Sequence, residues 1–201
     1  RMTTYLDFHT LHTPQGRTLP FATGLKMAQP DKHVIIVSGD GDCMAIGGNH
    51  FIHACRRNLD LTCIIVNNFT YGLTGGQFSP TTPLGSWAPT APYGMSEPAF
   101  DIVKMAQAAG ATFVARSTVA HTRAMTEIIK DGIAHQGMSV IDIVANCHVN
   151  YGRRNQHPEA AEMISWIQEN SVTPELAALM TPEELQGKFV IGVMVDVKRD
   201  A

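Results

Sequence analysis

Short apolar runs alternate with amphipathic stretches along the chain. Two apolar, β-rich runs lie near its start, at His33–Ser38 and Leu61–Val66, and the stretch between them, about Ala45 to Arg57, has helical character. Strand, turn, helix and strand in this order form a βαβ crossover, which joins parallel strands. The first third of the chain therefore predicts a parallel βαβ unit.

The same alternation continues towards the C-terminus. Thr173 and Thr181 are each followed by proline and glutamate, as N-cap threonine, first-turn proline and first-turn acid, and predict two short helices. We further expect helices over about 99–109, 120–135 and 159–170, and strands over 112–116, 139–144 and 189–193. This order indicates an α/β fold with a doubly wound parallel sheet.

Polar residues stand where the first two strands end. Gly39-Asp40-Gly41-Asp42 follows the first, and Asn67-Asn68 ends the second. Ligands of open parallel sheets gather outside the carboxyl ends of the strands. Carboxylate and amide oxygens suit Mg²⁺, which takes further ligands from phosphate and water. The flanking glycines allow close approach of the backbone to a phosphate. The alternative is a pair of ordinary turns in an α/β domain.

Other phosphate-binding motifs do not fit the residues. Met44 stands where the dinucleotide fingerprint G-x-G-x-x-G requires its third glycine. No G-x-x-x-x-G-K-[ST] sequence occurs, so a P-loop kinase or ATPase is unsupported. The long segment 69–98 is rich in glycine and proline, and a loop of this length in a compact domain is usually functional.

Composition limits the remaining possibilities. The chain has 201 residues and 44% apolar composition, which favours one domain over residues 1–201. A net charge of −3 gives no reason to expect nucleic acid, and no apolar run reaches the length of a membrane span. No signal peptide is visible, so we expect a cytoplasmic protein. Because Arg1 precedes Met2 in mid-pattern, we expect that an upstream segment is missing.

The four cysteines are Cys43, Cys55, Cys63 and Cys147, and none forms a C-x-x-C pair. Cys63 lies in an apolar strand and Cys55 on a helix, so both are expected to be small buried hydrophobic residues. Cys147 differs, because it follows a predicted strand and precedes a polar loop.

The Gly-Asp-Gly and Asn-Asn pair resembles the signature of thiamine-diphosphate-binding proteins. The run Asn67–Pro83, with its T-G-G-Q-F-S-P-T-T-P sequence, is similar to the corresponding loop of 2-oxoacid:ferredoxin oxidoreductase β subunits. The resemblance covers roughly residues 3 to 193 and favours the 2-oxoglutarate or general 2-oxoacid branch. Further similar segments are Phe8–Thr13, Gly47–Arg57, Ala109–Arg116 and Tyr151–Asn155.

The resemblance implies which residues bind the cofactor. Asp40, Asn68 and the carbonyl of Thr70 would bind Mg²⁺, and His12 would lie near the reactive end of thiamine diphosphate. Cys147 would be one ligand of a 4Fe–4S cluster, although such clusters normally use four cysteines and the other three would lie upstream. The diphosphate would be held by Gly39, Asp40, Gly41, Asp42, Asn68, Tyr71, Gly72, Leu73 and Thr74, with Gly75 and Gly76 also in the wrapping turn.

The resemblance also implies an activity and partners. The expected reaction is oxidative decarboxylation of a 2-oxoacid, with coenzyme A accepting the acyl group and electrons passing through the 4Fe–4S cluster to ferredoxin. Because the family's activating glutamate comes from elsewhere, this chain would act only with an α subunit and further γ or δ subunits. The alternatives are a non-oxidative thiamine-dependent decarboxylase or carboligase, and a truncated subunit without catalysis.

Overall fold

A computed structural model of the chain describes residues 5–198. Its main sheet has five strands, which are β1 Ile35–Gly39, β2 Leu61–Asn67, β5 Phe113–Thr118, β6 Met138–Val144 and β9 Gly192–Asp196. Their order in the sheet is β1-β2-β6-β5-β9; the first four are parallel and β9 runs antiparallel to β5. Residues 1–4, on which part of the expectation of a missing upstream segment rests, lie outside the described range.

Helices cover both faces of this sheet. One face is covered by three helices, which contribute Leu19, Phe51 and Val103 to a single core. These side chains pack there with Cys63 and Val140 of the strands. The helices are α1 Thr18–Ala28, α2 Gly48–Arg57, α3 Ile102–Ala109, α4 Thr122–Ala134, α5 Ala160–Glu169 and α6 Pro174–Ala177. The arrangement confirms the predicted doubly wound α/β fold.

The opposite face is covered by α4. Ile128 of this helix packs against Phe113 and Ile141 of β5 and β6 in a second core. Every residue of β6 is buried, because strands of a parallel sheet are covered on both faces. This explains why the predicted strands have continuous apolar runs and no strict alternation of apolar and polar residues.

Loops at the carboxyl edge of the sheet carry the smaller elements. Two-stranded pairs are formed by β3 Thr70–Tyr71 with β4 Gln77–Phe78, and by β7 Ser171–Val172 with β8 Phe189–Val190. A third core, around Phe69 and Met163, packs α5 against this edge. Among residues 5–198, no helix is long and apolar enough to cross a membrane.

Three predicted elements were wrong in detail. The helix expected over about 45–57 is a π-helical turn, Asp42–Ile46, followed after Gly47 by α2. The strand expected over 189–193 is divided at Ile191 into β8 and β9, which belong to different sheets. The helix expected after Thr181 is a series of turns, although Thr181 and Glu184 exchange the two hydrogen bonds of a capping box.

Candidate functional site

The carboxyl ends of β1, β2 and β6 meet at one edge of the sheet. β1 leads into Asp40, β2 into Asn68 and β6 into the loop that carries Cys147. The backbone N–H of Ala145 donates a hydrogen bond of 2.8 Å to the Asn67 carbonyl, which joins two of these ends. Parallel pairing therefore brings residues from three separate segments to one edge.

Asp40 is the more deeply buried of the two carboxylates in Gly39–Asp42, with 1% of its surface exposed. Its Oδ2 accepts hydrogen bonds of 2.5 Å from both the Ser79 and the Thr81 hydroxyls. Burial raises the pKa of Asp40, while these hydroxyls and the backbone N–H of Gly41 act to lower it. None of the ion pairs that lysine or arginine forms within residues 5–198 includes Asp40.

A buried carboxylate without a cationic side chain is expensive unless another cation or strong donors compensate it. The carboxylate, amide and carbonyl oxygens at this edge suit a metal such as Mg²⁺, which prefers hard oxygen ligands. Within residues 5–198, no three His, Cys, Asp or Glu side chains are grouped as metal ligands. A metal here would therefore need amide, carbonyl and phosphate oxygens as well as Asp40.

The turn Asn68-Phe69-Thr70 could supply such oxygens. Phe69 has a φ of +64°, in the left-handed region that a bulky residue rarely adopts. The turn is held because Phe69 is buried against Tyr151 and its carbonyl accepts a 2.7 Å hydrogen bond from Thr82. Asn68 Oδ1 accepts from the Thr70 N–H at 3.3 Å, so the two predicted ligands lie side by side. Strained turns of this kind are often found at binding sites.

Gly41 has a contact that leaves little room for a side chain. A Cβ added to Gly41 would lie 2.4 Å from the ring of Tyr71, whose hydroxyl donates a 2.8 Å hydrogen bond to the Gly41 carbonyl. Gly39 is different, because its added Cβ would meet only Asp42 Cβ at 3.9 Å. Tyr71 therefore covers one predicted phosphate-binding glycine and leaves space beside the other.

Asp42 binds protein groups through both carboxylate oxygens. Oδ1 accepts a hydrogen bond from the Gly16 backbone N–H, and Oδ2 accepts one of 2.5 Å from the Ser38 hydroxyl. Gly16 has a φ of +72°, and an added Cβ would lie 2.4 Å from the side chain of Ile46. Asp42 thus connects the segment before α1, which contains His12, to the predicted cofactor motif.

The turn Gly72–Gly76, predicted to wrap the diphosphate, packs on the π-helical turn His148–Gly152. Asn150 donates a 2.7 Å hydrogen bond to the Gly72 carbonyl. Gly76 has a φ of +92°, and a Cβ there would lie 2.9 Å from Asn150. Leu73 is 85% exposed and Thr74 is exposed, so the outer side of this turn faces solvent.

Cys147 lies beside the same turn, with its Sγ 3.3 Å from a Cβ built on Gly72. The other three cysteines are buried in the main core, as predicted for Cys55 and Cys63. Burial raises the pKa of Cys55 to about 12, and a hydrogen bond with Cys63 together with burial raises that of Cys43. These three are inert core thiols, whereas Cys147 is half-buried at the edge of the sheet.

Four histidines, His9, His12, His50 and His53, lie on other elements. His12 is exposed in the segment before α1, and His9 is exposed in the same segment. His50 and His53 lie on α2, where His50 lines a small cavity of about 150 Å³ together with Leu19 and Arg57. The Asp42–Gly16 hydrogen bond relates the His12 segment to the predicted cofactor motif.

Sequence reasoning did not assign the residues that hold Asp40. The Ser-Pro-Thr-Thr run was recognised as part of the resemblance, but the roles of Ser79 and Thr81 were not foreseen. The loop is strongly folded: the Ser79 N–H donates a 2.8 Å hydrogen bond to the Thr82 hydroxyl. Short hydroxyl-bearing residues among prolines were the available signal, since such residues commonly bind nearby polar groups.

Comparisons with known proteins show the family of the chain. Residues 1–143 match the sequence profile of the thiamine pyrophosphate enzyme family, C-terminal TPP binding domain. The chain is 52% identical over 199 residues to the 2-oxoglutarate synthase subunit KorB of Methanocaldococcus jannaschii, covering 99% of this chain and 74% of that protein.

Two further proteins show the same relationship. The β subunit of 2-oxoacid:ferredoxin oxidoreductase 2 of Aeropyrum pernix is 40% identical over 185 residues, covering 90% of this chain and 57% of that protein. The solved 2-oxoglutarate:ferredoxin oxidoreductase of Magnetococcus marinus superposes with a TM-score of 0.83 at 29% identity. That match covers 96% of this chain and 67% of the solved one. The chain therefore belongs to the thiamine pyrophosphate enzymes and, within them, to the β-subunit family of the 2-oxoglutarate and 2-oxoacid:ferredoxin oxidoreductases.

Proposed function

We propose that this β subunit binds Mg²⁺ and thiamine diphosphate and catalyses, with partner subunits, the coenzyme A-dependent oxidative decarboxylation of 2-oxoglutarate. The solved Magnetococcus marinus enzyme contains 2-oxoglutarate, coenzyme A and succinyl-CoA, and the KorB relatives are named for 2-oxoglutarate. Ferredoxin would be the electron acceptor, as the names of the related oxidoreductases indicate.

The buried Asp40 carboxylate carries this proposal. It has no lysine or arginine partner among residues 5–198, and it stands at the end of β1 beside the Asn68–Thr70 turn. We assign Asp40, the Asn68 amide oxygen and the Thr70 carbonyl as protein ligands of Mg²⁺. The remaining ligands would be phosphate and water oxygens, as is usual for this ion.

The diphosphate would lie between the Gly39–Asp42 motif and the turn after Tyr71. Gly39 has space for close approach, and Tyr71 and Gly72–Thr74 border the opposite side. When bound, thiamine diphosphate supplies an electron sink for decarboxylation of a 2-oxoacid. The chain's own contribution is to fix the diphosphate and the metal, so that the reactive ring is presented at the edge of the sheet.

His12 is proposed to contact substrate near the reactive ring. Its segment is fixed to the cofactor motif by the hydrogen bond from Gly16 to Asp42, and the Thr13 and Thr18 hydroxyls hydrogen bond at 3.0 Å at the start of α1. These contacts anchor the segment that carries His12 to Asp42 and to the start of α1. A His12→Ala variant should lower kcat while leaving the occupancy of thiamine diphosphate unchanged, and the exposed His53→Ala should change neither.

Cys147 is proposed as one ligand of a 4Fe–4S cluster. Its position beside Gly72 would place that cluster close to the diphosphate-binding turn. The other three cysteines are buried in the core, so residues 5–198 contain no complete set of thiolates for a cluster. Three further thiolates would have to come from outside these residues, and no electron-transfer step is derived from Cys147 alone.

The test is anaerobic reduction of a low-potential dye by the natively purified complex, with thiamine diphosphate, Mg²⁺ and coenzyme A. We expect reduction with 2-oxoglutarate that stops when coenzyme A is omitted, and slower reduction with pyruvate. The Asp40→Asn complex should be inactive in the same assay.

The outcomes separate the competing functions. Faster reduction with pyruvate would retain the oxidoreductase and change its substrate. Release of CO₂ without dye reduction would indicate a non-oxidative decarboxylase. A complex that binds neither Mg²⁺ nor thiamine diphosphate would contradict the proposal entirely.

A further inference from the structure

A row of charged and amide side chains crosses the sheet just below the candidate site. Arg116 of β5 pairs in register with Asp142 of β6, and Asp142 pairs with Ile65 of β2. Asn67 is two residues beyond Ile65, and side chains two apart on a strand share a face. Arg116, Asp142 and Asn67 therefore lie on the same face of three adjacent strands.

Direct contacts connect Arg116 to two carboxylates. Arg116 Nε donates a 2.7 Å hydrogen bond to Asp142 Oδ2, and its Nη2 donates one of 2.7 Å to Asp101 Oδ1. Asp101 also caps α3, because its side chain accepts from the backbone N–H groups of Val103 and Lys104. The guanidinium is thus fixed between two carboxylates, one of which is anchored to a helix terminus.

The Asp142 side chain is completely buried, and the hydrogen-bonding capacity of the oxygens around it is only partly used. Burial raises the pKa of Asp142, while Arg116 and the Asn67 side chain act to lower it. Asp142 Oδ1 and Asn67 Oδ1 nevertheless accept no hydrogen bond from protein groups among residues 5–198. Unpaired buried oxygens lower stability, and a buried ion pair is often replaceable by apolar residues without loss. Stability alone therefore does not account for this row.

The row ends at Asn67, which lies next to the proposed metal site. Asn67 is 6% exposed and is followed directly by Asn68, the proposed Mg²⁺ ligand. The next residue, Phe69, has a left-handed backbone that persists only where the surroundings enforce it. Thr82 and Tyr151 restrain Phe69 from one side of this turn. Asp142 flanks Asn67, the residue before Asn68, on the same face of the sheet.

We propose that Asp142, fixed by Arg116 and Asp101, is a positioning residue for the metal site: it holds the Asn67 side chain and so sets the orientation of the Asn68 amide. This inference rests on the proposed Mg²⁺–thiamine diphosphate site. Groups that orient metal ligands without touching the metal commonly change metal affinity by about 10- to 100-fold when removed. The row should therefore affect metal affinity separately from stability.

The experiment titrates Mg²⁺ into the wild-type complex and the Asp142→Asn complex at one fixed thiamine diphosphate concentration, which saturates the wild type when Mg²⁺ is in excess. The quantity compared is the Mg²⁺ concentration at which cofactor binding is half-maximal. The thermal unfolding midpoint is recorded on the same samples. We expect the half-saturating Mg²⁺ concentration to rise about 10-fold. Asn67→Ala should give a similar rise, and the double variant should be no worse than the stronger single one, because the two side chains act through one contact.

Asp60→Asn is the matched control. Asp60 lies directly before β2, at the opposite end of that strand from Asn67, and forms a 2.6 Å ion pair with Lys26. The substitution therefore also removes the charge of an aspartate that pairs with a cation. It should lower the unfolding midpoint without changing the half-saturating Mg²⁺ concentration. If Asp142→Asn does not fold, Asn67→Ala carries the same comparison without leaving a charged residue unpaired.

The results distinguish this inference from the function on which it rests. Wild-type complex without Mg²⁺-dependent cofactor binding would contradict the proposed site itself. Normal wild-type binding, with Asp142→Asn or Asn67→Ala lowering only the unfolding midpoint, would overturn the positioning role and leave the site intact. Strictly additive effects of the two substitutions on Mg²⁺ affinity would also overturn it.

Discussion

The Ser79 hydroxyl donates a hydrogen bond to Asp40 Oδ2, joining residues that are 39 positions apart in the chain. Thr81 donates to the same oxygen, and the two hydroxyl oxygens lie 2.7 Å apart. The long loop after β2 therefore reaches back to the end of β1. The ordering of this loop and the orientation of Asp40, the proposed metal ligand, therefore depend on each other.

Removing these hydroxyls should loosen Asp40. We expect Ser79→Ala to weaken Mg²⁺-dependent binding of thiamine diphosphate by about 10-fold, the usual scale for groups that orient a ligand. Thr81→Val should act similarly, because it keeps the side-chain shape and removes the donor. Titration calorimetry with Mg²⁺ at saturating cofactor measures this. Thr126→Val, which removes an exposed helical hydroxyl, should have no effect on the affinity.

The two carboxylates of the Gly-Asp-Gly-Asp motif should differ in function. Asp40→Asn should reduce Mg²⁺-dependent cofactor binding by at least about 100-fold, since it removes the charge that compensates a divalent ion. Asp42→Asn should mainly loosen the Gly16 segment, because both Asp42 oxygens bind protein groups. Equilibrium binding of thiamine diphosphate across a Mg²⁺ series compares the two. Equal losses for both variants would contradict these assignments.

The two glycines that flank Asp40 should also differ. Gly41→Ala forces a methyl group into the ring of Tyr71 and should lower the free energy of unfolding by about 1–3 kcal/mol. Gly39→Ala meets no such contact and should change stability little. If the diphosphate approaches Gly39 closely, that variant should nevertheless bind thiamine diphosphate more weakly. Urea unfolding and cofactor titration of both variants separate the two effects.

Cys147 should be the reactive thiol of the described chain. In cluster-free protein it should be alkylated rapidly at neutral pH, while Cys43, Cys55 and Cys63 should react only after unfolding, since they are buried. If Cys147 binds iron, reconstitution of the cluster should protect it, and Cys147→Ser should lower the iron content of the complex. Mass spectrometry of alkylated peptides gives the site directly. Unchanged labelling after reconstitution would contradict the ligand role.

Asp101 should make stability depend on pH in the acidic range. Partial burial opposes its charge, but Arg116 and the α3 N–H groups outweigh this and hold the pKa of Asp101 below its ordinary value of 3.8. The unfolded chain therefore takes up the proton first, and the charge stabilises the fold fully above about pH 3.8. This contribution is lost as the pH falls through the lower, folded-state pKa.

Asp101→Asn keeps a side chain that can cap α3 and removes the charge. We expect it to cost about 1 kcal/mol between pH 5 and 7, the scale of a partly exposed charged hydrogen bond, and less below pH 3.8. Urea unfolding at a series of pH values measures the difference. A constant difference between wild type and variant down to pH 3 would show that the Asp101 charge is not responsible.

The sequence by itself determined the βαβ unit, most of the larger helices and strands, and the edge at which the site lies. Apolar runs and the helical stretch between them encode the βαβ unit locally, and turn residues after each strand mark its carboxyl end. Asp40 and Asn68 could therefore be selected from residue type and position. The bounds of β1, β2 and β6 differ from prediction by only one or two residues.

Only the tertiary structure decided how these residues are held. The contacts of Asp40 with Ser79, of Gly16 with Asp42, and of Arg116 with Asp142 join residues 39, 26 and 26 positions apart. No local pattern specifies such contacts, because they depend on strand order and on how loops pack after the sheet has formed. For the same physical reason, the sequence suggested a cofactor site but not the buried row that reaches Asn67 beneath it.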